Sequence, residues 1–586
     1  MNLPLPAAEG PPDLTKGETN GVNRKGTYNM GSTGMRGWIY LKPATHFDGL
    51  QGRTTAVSRQ ILVTHVGAKS PADGVIQVND VILGVNGKPF TEDARRSIAT
   101  AIQEAEKESN LGNLKLLRWR DGKTEQVQLK LKVMGTYSAT APYNCQKSKR
   151  IFDDACKALE KEPLDTNWAG AITGLALLAT GNDQYLPKVK EFAHKMGPTS
   201  MKLGPGGLGA WESGYRNMFL CEYYLRTGDK EVMPAIREIT LSTAKGQGMY
   251  GTFGHGFADL TADGKLHGSI PPYGPVNQAG LAANIAIVMG RKCGVQDAEV
   301  DAAIARASKF FGYFVDKGTV PYGEHEPYPF HDNNGKSAMA AAFFGLQGNC
   351  PGQTQFFAAM ATAGYKNREC GHTGQGFSYL WGALGANFGG PAAAAAFFKE
   401  ASTHLDLVRR SDGSFTYDGG EQYGPGSTDD DTYYGRSSYS GLSPTATYVL
   451  TYSMALKKTC LTGKDATQAN WLSPKMVGAA VTSGRFDLDR LQMTPKQLVL
   501  AFGDWSPVVR GWAAEELAKR PEAKQMEAEL IKMAEGTDAH MRQGACEVLG
   551  QMKSVEALPV FVRLLSHEDR WLRFKAAQAI KIVSGG

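Results

Sequence analysis

The sequence predicts a multidomain, mainly α protein: a small β/α unit, a ring of paired helices, and a C-terminal run of helical repeats. Three observations lead there. A chain of 586 residues is too long for one core, so two to four domains are expected. Helical segments follow one another over 165–474, joined by links that alternate short and long. Residues 475–586 then repeat a helical pattern about every thirty residues.

The bulk numbers narrow the class. Hydrophobic residues make up 42% and charged residues 21%, ordinary for a globular protein. The net charge of +6 is small for this length and no lysine/arginine run dominates, so nucleic acid is not an expected partner. No apolar stretch approaches the roughly 18 residues that span a bilayer. The start, Met1-Asn-Leu-Pro-Leu-Pro, shows neither the basic segment nor the apolar core of a signal peptide. The compartment stays open, periplasmic or secreted being the expectation if a leader has been removed. The eight cysteines form no CxxC and no regular spacing; Cys293, Cys350 and Cys460 fall in short turns where pairing stays open.

Residues 1–30, rich in Pro, Gly and Asn, predict an extended arm on the next unit. Residues 31–133 form that unit. Gln60-Ile-Leu-Val-Thr-His-Val reads as a strand, Thr91–Lys107 as a polar helix, and Leu114–Arg120 and Glu125–Lys132 as a hairpin about Asp121-Gly122. The segment Ser70-Pro-Ala-Asp-Gly followed by Val78-Asn-Asp-Val-Ile-Leu-Gly-Val-Asn-Gly resembles a PDZ domain. The resemblance implies a peptide-binding groove at Gly34, Met35, Arg36, Gly37 and Trp38, where a peptide or protein ligand would add as a strand. Arg36 departs from the family's apolar loop, leaving open a free C-terminus, an internal strand or the protein's own tail as occupant.

Residues 134–164 read as a linker with a helix at Ser148–Lys161, and 165–474 as paired helices. The first helix of each pair is apolar all round: Trp168–Thr180, Trp211–Thr227, Asn277–Gly290, Lys336–Gly345, Gln375–Gly385 and Ser443–Leu456. The second has one apolar stripe: Gln184–His194, Glu231–Lys245, Asp297–Asp316, Thr354–Ala363 and Ala392–Val408. The first kind is buried and the second faces solvent, giving an inner and an outer ring. Five to six such hairpins close into an α/α toroid, resembling the barrels of glycoside hydrolases, polysaccharide lyases and terpenoid cyclases. In 475–586, the segments at Asp504-Trp-Ser-Pro, Thr537-Asp-Ala-His and His567-Glu-Asp-Arg carry a turn, an arginine near the helix start and paired alanines. They resemble HEAT repeats. The combination resembles a group of bacterial PDZ-plus-toroid proteins.

The short links are near-copies, such as Thr180-Gly-Asn-Asp and Thr227-Gly-Asp-Lys. The long ones, 196–210, 246–276, 317–335, 364–374 and 409–442, gather Gly, Tyr, His, Asp and Glu. Elaborated loops on one end of a repeated scaffold are where chemistry is expected. Each long link enters an inner helix, so its polar groups belong at inner N-termini, where helix dipoles favour negative charge.

Five of the eleven histidines lie there: His255, His267, His325, His331 and His372. Glycoside cleavage needs two carboxyl groups roughly 5–10 Å apart. The candidate catalytic residues are Glu324, Glu326, His331, Asp332, His372, Asp418, Glu421 and Asp430. The candidate substrate-binding residues are Trp211, Glu212, Tyr215, Arg216, His255, Tyr273, Asn277, Asn333, Tyr434 and Arg436. The plain alternative is that such carboxylates cap helices and tie turns.

Glu324-His325-Glu326-Pro-Tyr-Pro-Phe-His331-Asp332 offers ligands that suit zinc or calcium, but its spacing matches no zinc motif, so no cofactor is expected. Lyase chemistry on a uronate is the variant reading. The aspartates 429–431 match a terpene-cyclase acid motif poorly, because Thr428 stands where its first aspartate belongs. The expectation is a glycan- or glycoside-cleaving enzyme active in polysaccharide degradation; the alternative is a scaffold that binds peptides or proteins through its end domains.

Overall fold

The computed structural model describes residues 10–19, 21–24, 26–43, 53–196, 206–272, 274–327, 329–369, 374–417 and 441–585. Three large hydrophobic cores, over residues 28–131, 134–461 and 486–579, correspond to three units.

The N-terminal unit is a sheet of β1 (Tyr28–Asn29), β2 (Met35–Ile39), β3 (Ile61–Val66), β4 (Val81–Val85), β5 (Lys88–Pro89), β6 (Asn113–Arg120) and β7 (Lys123–Lys130). The order is β1-β2-β3-β4-β6-β7, with β5 on β4. Helix α1 (Ala94–Ala105) starts where the Asp93 carboxylate accepts the Arg95 N–H, and it buries Ile98 and Ile102 on the sheet. The arm lies on this unit: Leu14 packs with Trp38, Leu62 and Val81.

The expected peptide groove is closed from within. Tyr28 pairs with Gly37 and Asn29 with Arg36, so β1 fills the edge of β2 that a ligand strand would need. The guanidinium of Arg95, on α1, lies 4.8 Å above the Tyr28 ring. Met35, Arg36, Gly37 and Trp38 are buried, and Arg36 donates to the Thr27 hydroxyl at 3.1 Å and carbonyl at 2.7 Å. The occupant seen, the chain's own preceding strand, is none of the three the sequence left open.

The middle unit begins with α2 (Gln146–Leu159) and alternates two kinds of helix. The inner ones are α3 (Trp168–Ala179), α5 (Gly209–Thr227), α7 (Asn277–Lys292), α9 (Lys336–Gln347), α11 (Gly374–Phe388) and α13 (Pro444–Ser453). The others are α4 (Leu186–Met196), α6 (Met233–Lys245), α8 (Ala298–Gly312), α10 (Pro351–Ala363) and α12 (Pro391–Leu407). Each inner helix contacts the next, and α13 contacts α3, so the cycle is closed. Every residue of α3 and α13 is buried. Close approach needs small residues: a Cβ on Gly385 of α11 would sit 2.3 Å from the Ala338 Cα of α9. Helix α2, expected within a linker, instead packs against α13 and α3 and buries Ile151, Ala155 and Leu159 in the ring's core.

In the C-terminal unit, α14 (Pro507–Ala518), α16 (Ala539–Gln551) and α18 (Arg570–Ser584) stack in series. Between them run α15 (Glu527–Ala534) and α17 (Leu558–Leu564). In α14 and α18 the arginine near the helix start ties the helix back to the turn before it. Arg510 donates to the Asp504 carbonyl at 2.7 Å, and Arg573 to the His567 carbonyl at 2.6 Å. No described helix is long and apolar enough to cross a membrane, and the seven described cysteines are free thiols.

The first unit docks on the ring through four buried charges. Lys147 Nζ lies 2.9 Å from Glu106 and 3.1 Å from Asp406, while Arg409 reaches Glu106 at 2.6 Å and Asp406 at 2.9 Å. None is more than 6% exposed. Two cations and two anions cancel, which such burial requires. Replacing Lys147 by Met is therefore expected to cost about 3–5 kcal/mol, because it leaves a buried carboxylate without its partner; equilibrium urea unfolding measures this.

Candidate functional site

Three of the long links, 196–210, 246–276 and 317–335, meet at inner-helix N-termini on one side of the ring. The Ala210 N–H donates to the His255 carbonyl at 3.0 Å, joining links 196–210 and 246–276. Asn277 staples 246–276 to 317–335: it accepts from the Thr252 hydroxyl at 3.0 Å and donates to the Pro321 and Gly323 carbonyls at 3.1 and 3.2 Å. It is fully buried, so this expected substrate ligand is a tie between loops.

Beneath that face, aromatic rings plug the axis. Trp168 of α3 lies 5.7 Å from Trp211 of α5 and 5.6 Å from Phe377 of α11, which spans non-neighbouring helices. Trp211 and Phe377 are 5.2 Å apart, and the Trp381 indole N–H donates to the Tyr215 hydroxyl at 3.0 Å. Trp211 and Tyr215, expected as stacking platforms, are 3% and 1% exposed and form the floor, not the wall. Their aromatic bulk fills a space that Gly and Ala on the neighbouring helices leave open.

Above the floor stand polar groups that reach solvent or lack partners. The Trp211 indole N–H donates to His255 Nδ1 at 2.9 Å, so that ring nitrogen is the acceptor. Glu212 follows Trp211 in the first turn of α5, its side chain 29% exposed. One of its oxygens is buried without a hydrogen-bond partner, and Arg216 lies 3.7 Å away. Desolvation raises the Glu212 carboxyl above its ordinary value; Arg216 and the Trp168 N–H only partly offset this. Burial likewise lowers Arg216.

The remaining expected residues divide sharply. Asp332 is buried and accepts from the Gly335 and Ser337 N–H groups at 2.8 and 3.0 Å, capping α9. Asn333 accepts from Lys336 Nζ at 2.5 Å. His331 leaves the ring altogether: its Nε2 meets the Ser506 hydroxyl at 2.8 Å, between Trp505 and Trp512 of the C-terminal unit. Burial lowers its pKa to about 3, so it is a neutral docking group, not an acid–base catalyst near neutral pH. Glu326 is exposed and receives the Gln578 amide at 2.8 Å, a second tie to α18. Glu324 is exposed, with Gly274 packed beside it. Tyr273, His372, Asp418, Glu421, Asp430, Tyr434 and Arg436 lie outside the described residues.

Three ionisable groups were missed, two of them buried. Lys336 opens α9 fully buried, and desolvation lowers it to about 7. Glu222 is raised to about 7 by burial while accepting the Cys460 and Leu461 N–H groups at 3.0 and 2.9 Å, closing the short-link end. Asp316 receives Arg510 at 2.8 Å and His540 at 2.7 Å, clamping the C-terminal unit. A lone lysine in an otherwise apolar helix was the available signal for Lys336; Glu222 shares α5 with Glu212, Arg216 and Arg226 and had none. Among the described residues one cluster has metal-ligand proximity, His194 of α4 with Asp229 and Glu231 of the short link before α6. Its Asp229 carboxylate is already shared between His194 at 2.8 Å and the Tyr223 hydroxyl at 2.7 Å.

The profile of the family described as "Domain of unknown function (DUF6288)" matches residues 148–463, more than half of the chain. The profile described as "PDZ domain" matches 39–117, and that described as "HEAT repeats" matches 495–581. No curated protein and no solved structure matches the chain.

Two measurements test these assignments. Removing the cap with Asp332→Ala is expected to lower stability by about 1–2 kcal/mol in urea unfolding. His331 binds its proton near pH 6.5 when unfolded but only near 3 when folded. Its contribution to stability is therefore present above 6.5 and lost as pH falls toward 3; His331→Phe should flatten the fall of Tm over that window relative to the wild type.

Proposed function

The chain belongs to the DUF6288 family, and from that premise we propose that its helical ring is an α/α toroid of the carbohydrate-active kind, binding a glycan at the inner-helix N-termini and cleaving it. The observation that carries this reading is Glu212. It is the described carboxyl at that face whose pKa is raised by desolvation, and it stands partly exposed on an aromatic floor with an oxygen left unpartnered. A carboxyl that holds its proton more tightly than usual is what a glycosidic leaving oxygen needs from a general acid. Arg216 lies beside it and His255 is bonded to the preceding Trp211, both suited to orient hydroxyl or carboxylate groups of a sugar. The second carboxyl is assigned to the long link that carries Asp418, Glu421 and Asp430, or to exposed Glu324. Hydrolysis is the favoured chemistry, and elimination from a uronate the variant that the same acid and Arg216 also allow.

The scaffold reading keeps one specific support: the matches to PDZ and HEAT families, both of which bind proteins or peptides. Here β1 fills the groove of the first, so a partner would fall to the C-terminal repeats.

An oligosaccharide panel separates the two. Wild type should release sugar, and Glu212→Gln should lower kcat by about 10²–10⁴-fold, the usual contribution of general acid catalysis. Activity should fall as pH rises through the raised Glu212 pKa, because the protonated form is the acid. Wild-type turnover by Glu212→Gln, or no turnover of any glycan, removes the enzyme reading.

A further inference from the structure

Buried polar atoms without partners collect at the starts of three consecutive inner helices. On α5, Glu212 Oε2 and Arg216 Nε have no hydrogen-bond partner among the described residues. The same holds for Oε1 of Gln278, the second residue of α7. It also holds for both Nδ2 and Oδ1 of Asn334, which precedes Gly335, the cap of α9. Gln278 and Asn334 are each 1% exposed. Buried polar groups are nearly always paired, so this group of orphans needs a cause.

Packing sets them at one level. A Cβ on Gly214 of α5 would lie 2.9 Å from the Ala282 carbonyl carbon of α7, which puts Gln278 level with the start of α5. Gln278 Nε2 donates to Met339 Sδ at 3.0 Å, so its amide lies between α7 and α9. A Cβ on Gly335 would lie 2.7 Å from the Phe377 carbonyl oxygen and 3.0 Å from Trp381 Cβ. Phe377 is the floor ring that meets Trp211 at 5.2 Å, and Glu212 follows Trp211. Both carboxamides therefore belong to the layer of the aromatic floor and Glu212, at the ring's mouth. The charges of this layer face partners: Arg216 lies 3.7 Å from Glu212, and Lys336 Nζ donates to Asn333 at 2.5 Å. The free atoms of Gln278 and Asn334 are neutral, and Asn334 offers a donor and an acceptor side by side.

We propose that Gln278 and Asn334 are specificity-determining residues of the mouth, holding a neutral sugar unit by its hydroxyl or acetamido groups in preference to a uronate. The inference rests on the glycan-binding reading above and narrows its substrate. Keeping unmet polar atoms under cover costs stability, and a ligand whose hydroxyl or amide groups pair with them recovers that cost. A sugar lacking those groups leaves them unpaired, which is how a buried polar site discriminates.

A glycan array carrying neutral, N-acetylated and uronate oligosaccharides, probed with the full chain, reads the class, and titration calorimetry with the strongest ligand reads affinity. Wild type should bind neutral or N-acetylated glycans. The Gln278→Leu/Asn334→Gly variant should bind them at least about tenfold more weakly, and in turnover should raise KM rather than lower kcat. Leucine removes an unpartnered oxygen, and glycine suits the left-handed backbone of Asn334 at φ 53°. The variant should therefore keep or exceed the wild-type Tm. Binding confined to uronates, wild-type affinity in the variant, or a lowered Tm that marks the two amides as structural overturns this inference and leaves glycan binding at the ring standing. Absence of binding to every glycan overturns it together with that reading.

Discussion

An inner helix that is apolar on every side must be covered on every side, and that constraint organises this molecule. An open row of such helices would leave its first and last members half bare. The cycle from α3 through α13 back to α3 removes the ends. Closure also explains α2, whose apolar residues fill the gap outside the seam between α13 and α3. Glycine at contacts such as Gly385 against Ala338 brings backbones together until little room remains at the axis, and aromatic rings take up what is left.

A closed ring sends every inner N-terminus to the same side, and this gathers the links that enter them. The links entering those termini are long enough to bond to one another, as Asn277 does across two of them. Much of their polar content is used in such ties. Asp332 caps, Asn277 staples, and His331 and Glu326 reach the C-terminal repeats. What is left over is small and specific: Glu212, raised and partly exposed, with Arg216 beside it and His255 bonded to the preceding Trp211.

The end units are held by contrasting means. The N-terminal unit is tied by a neutral square of four buried charges, costly to assemble and costly to break. The C-terminal repeats are tied by Asp316, His331 and Glu326, all from the link between α8 and α9. One loop thus serves both the ring's mouth and a domain junction. Its density of His and Glu, which pointed to a reaction centre, largely reflects the junction.

Periodicity alone determined the inner and outer helices, the hairpin about Asp121-Gly122 and the repeated C-terminal helices, because burial writes itself into local spacing. Expected bounds such as Trp168–Thr180 and Asn277–Gly290 differ from the observed ends by one or two residues, within the fraying of helix termini. Sequence also indicated which links are elaborated, and three of those meet on one side of the ring. It did not separate Glu212 from Asp332, since both are carboxylates beside a helix start. Only the fold decided that one meets two backbone N–H groups and the other meets a tryptophan floor. The pairing of β1 with β2, and of Arg409 with Glu106 across some three hundred residues, was likewise invisible. Such partners are set by which surfaces pack together, and local spacing carries no record of that.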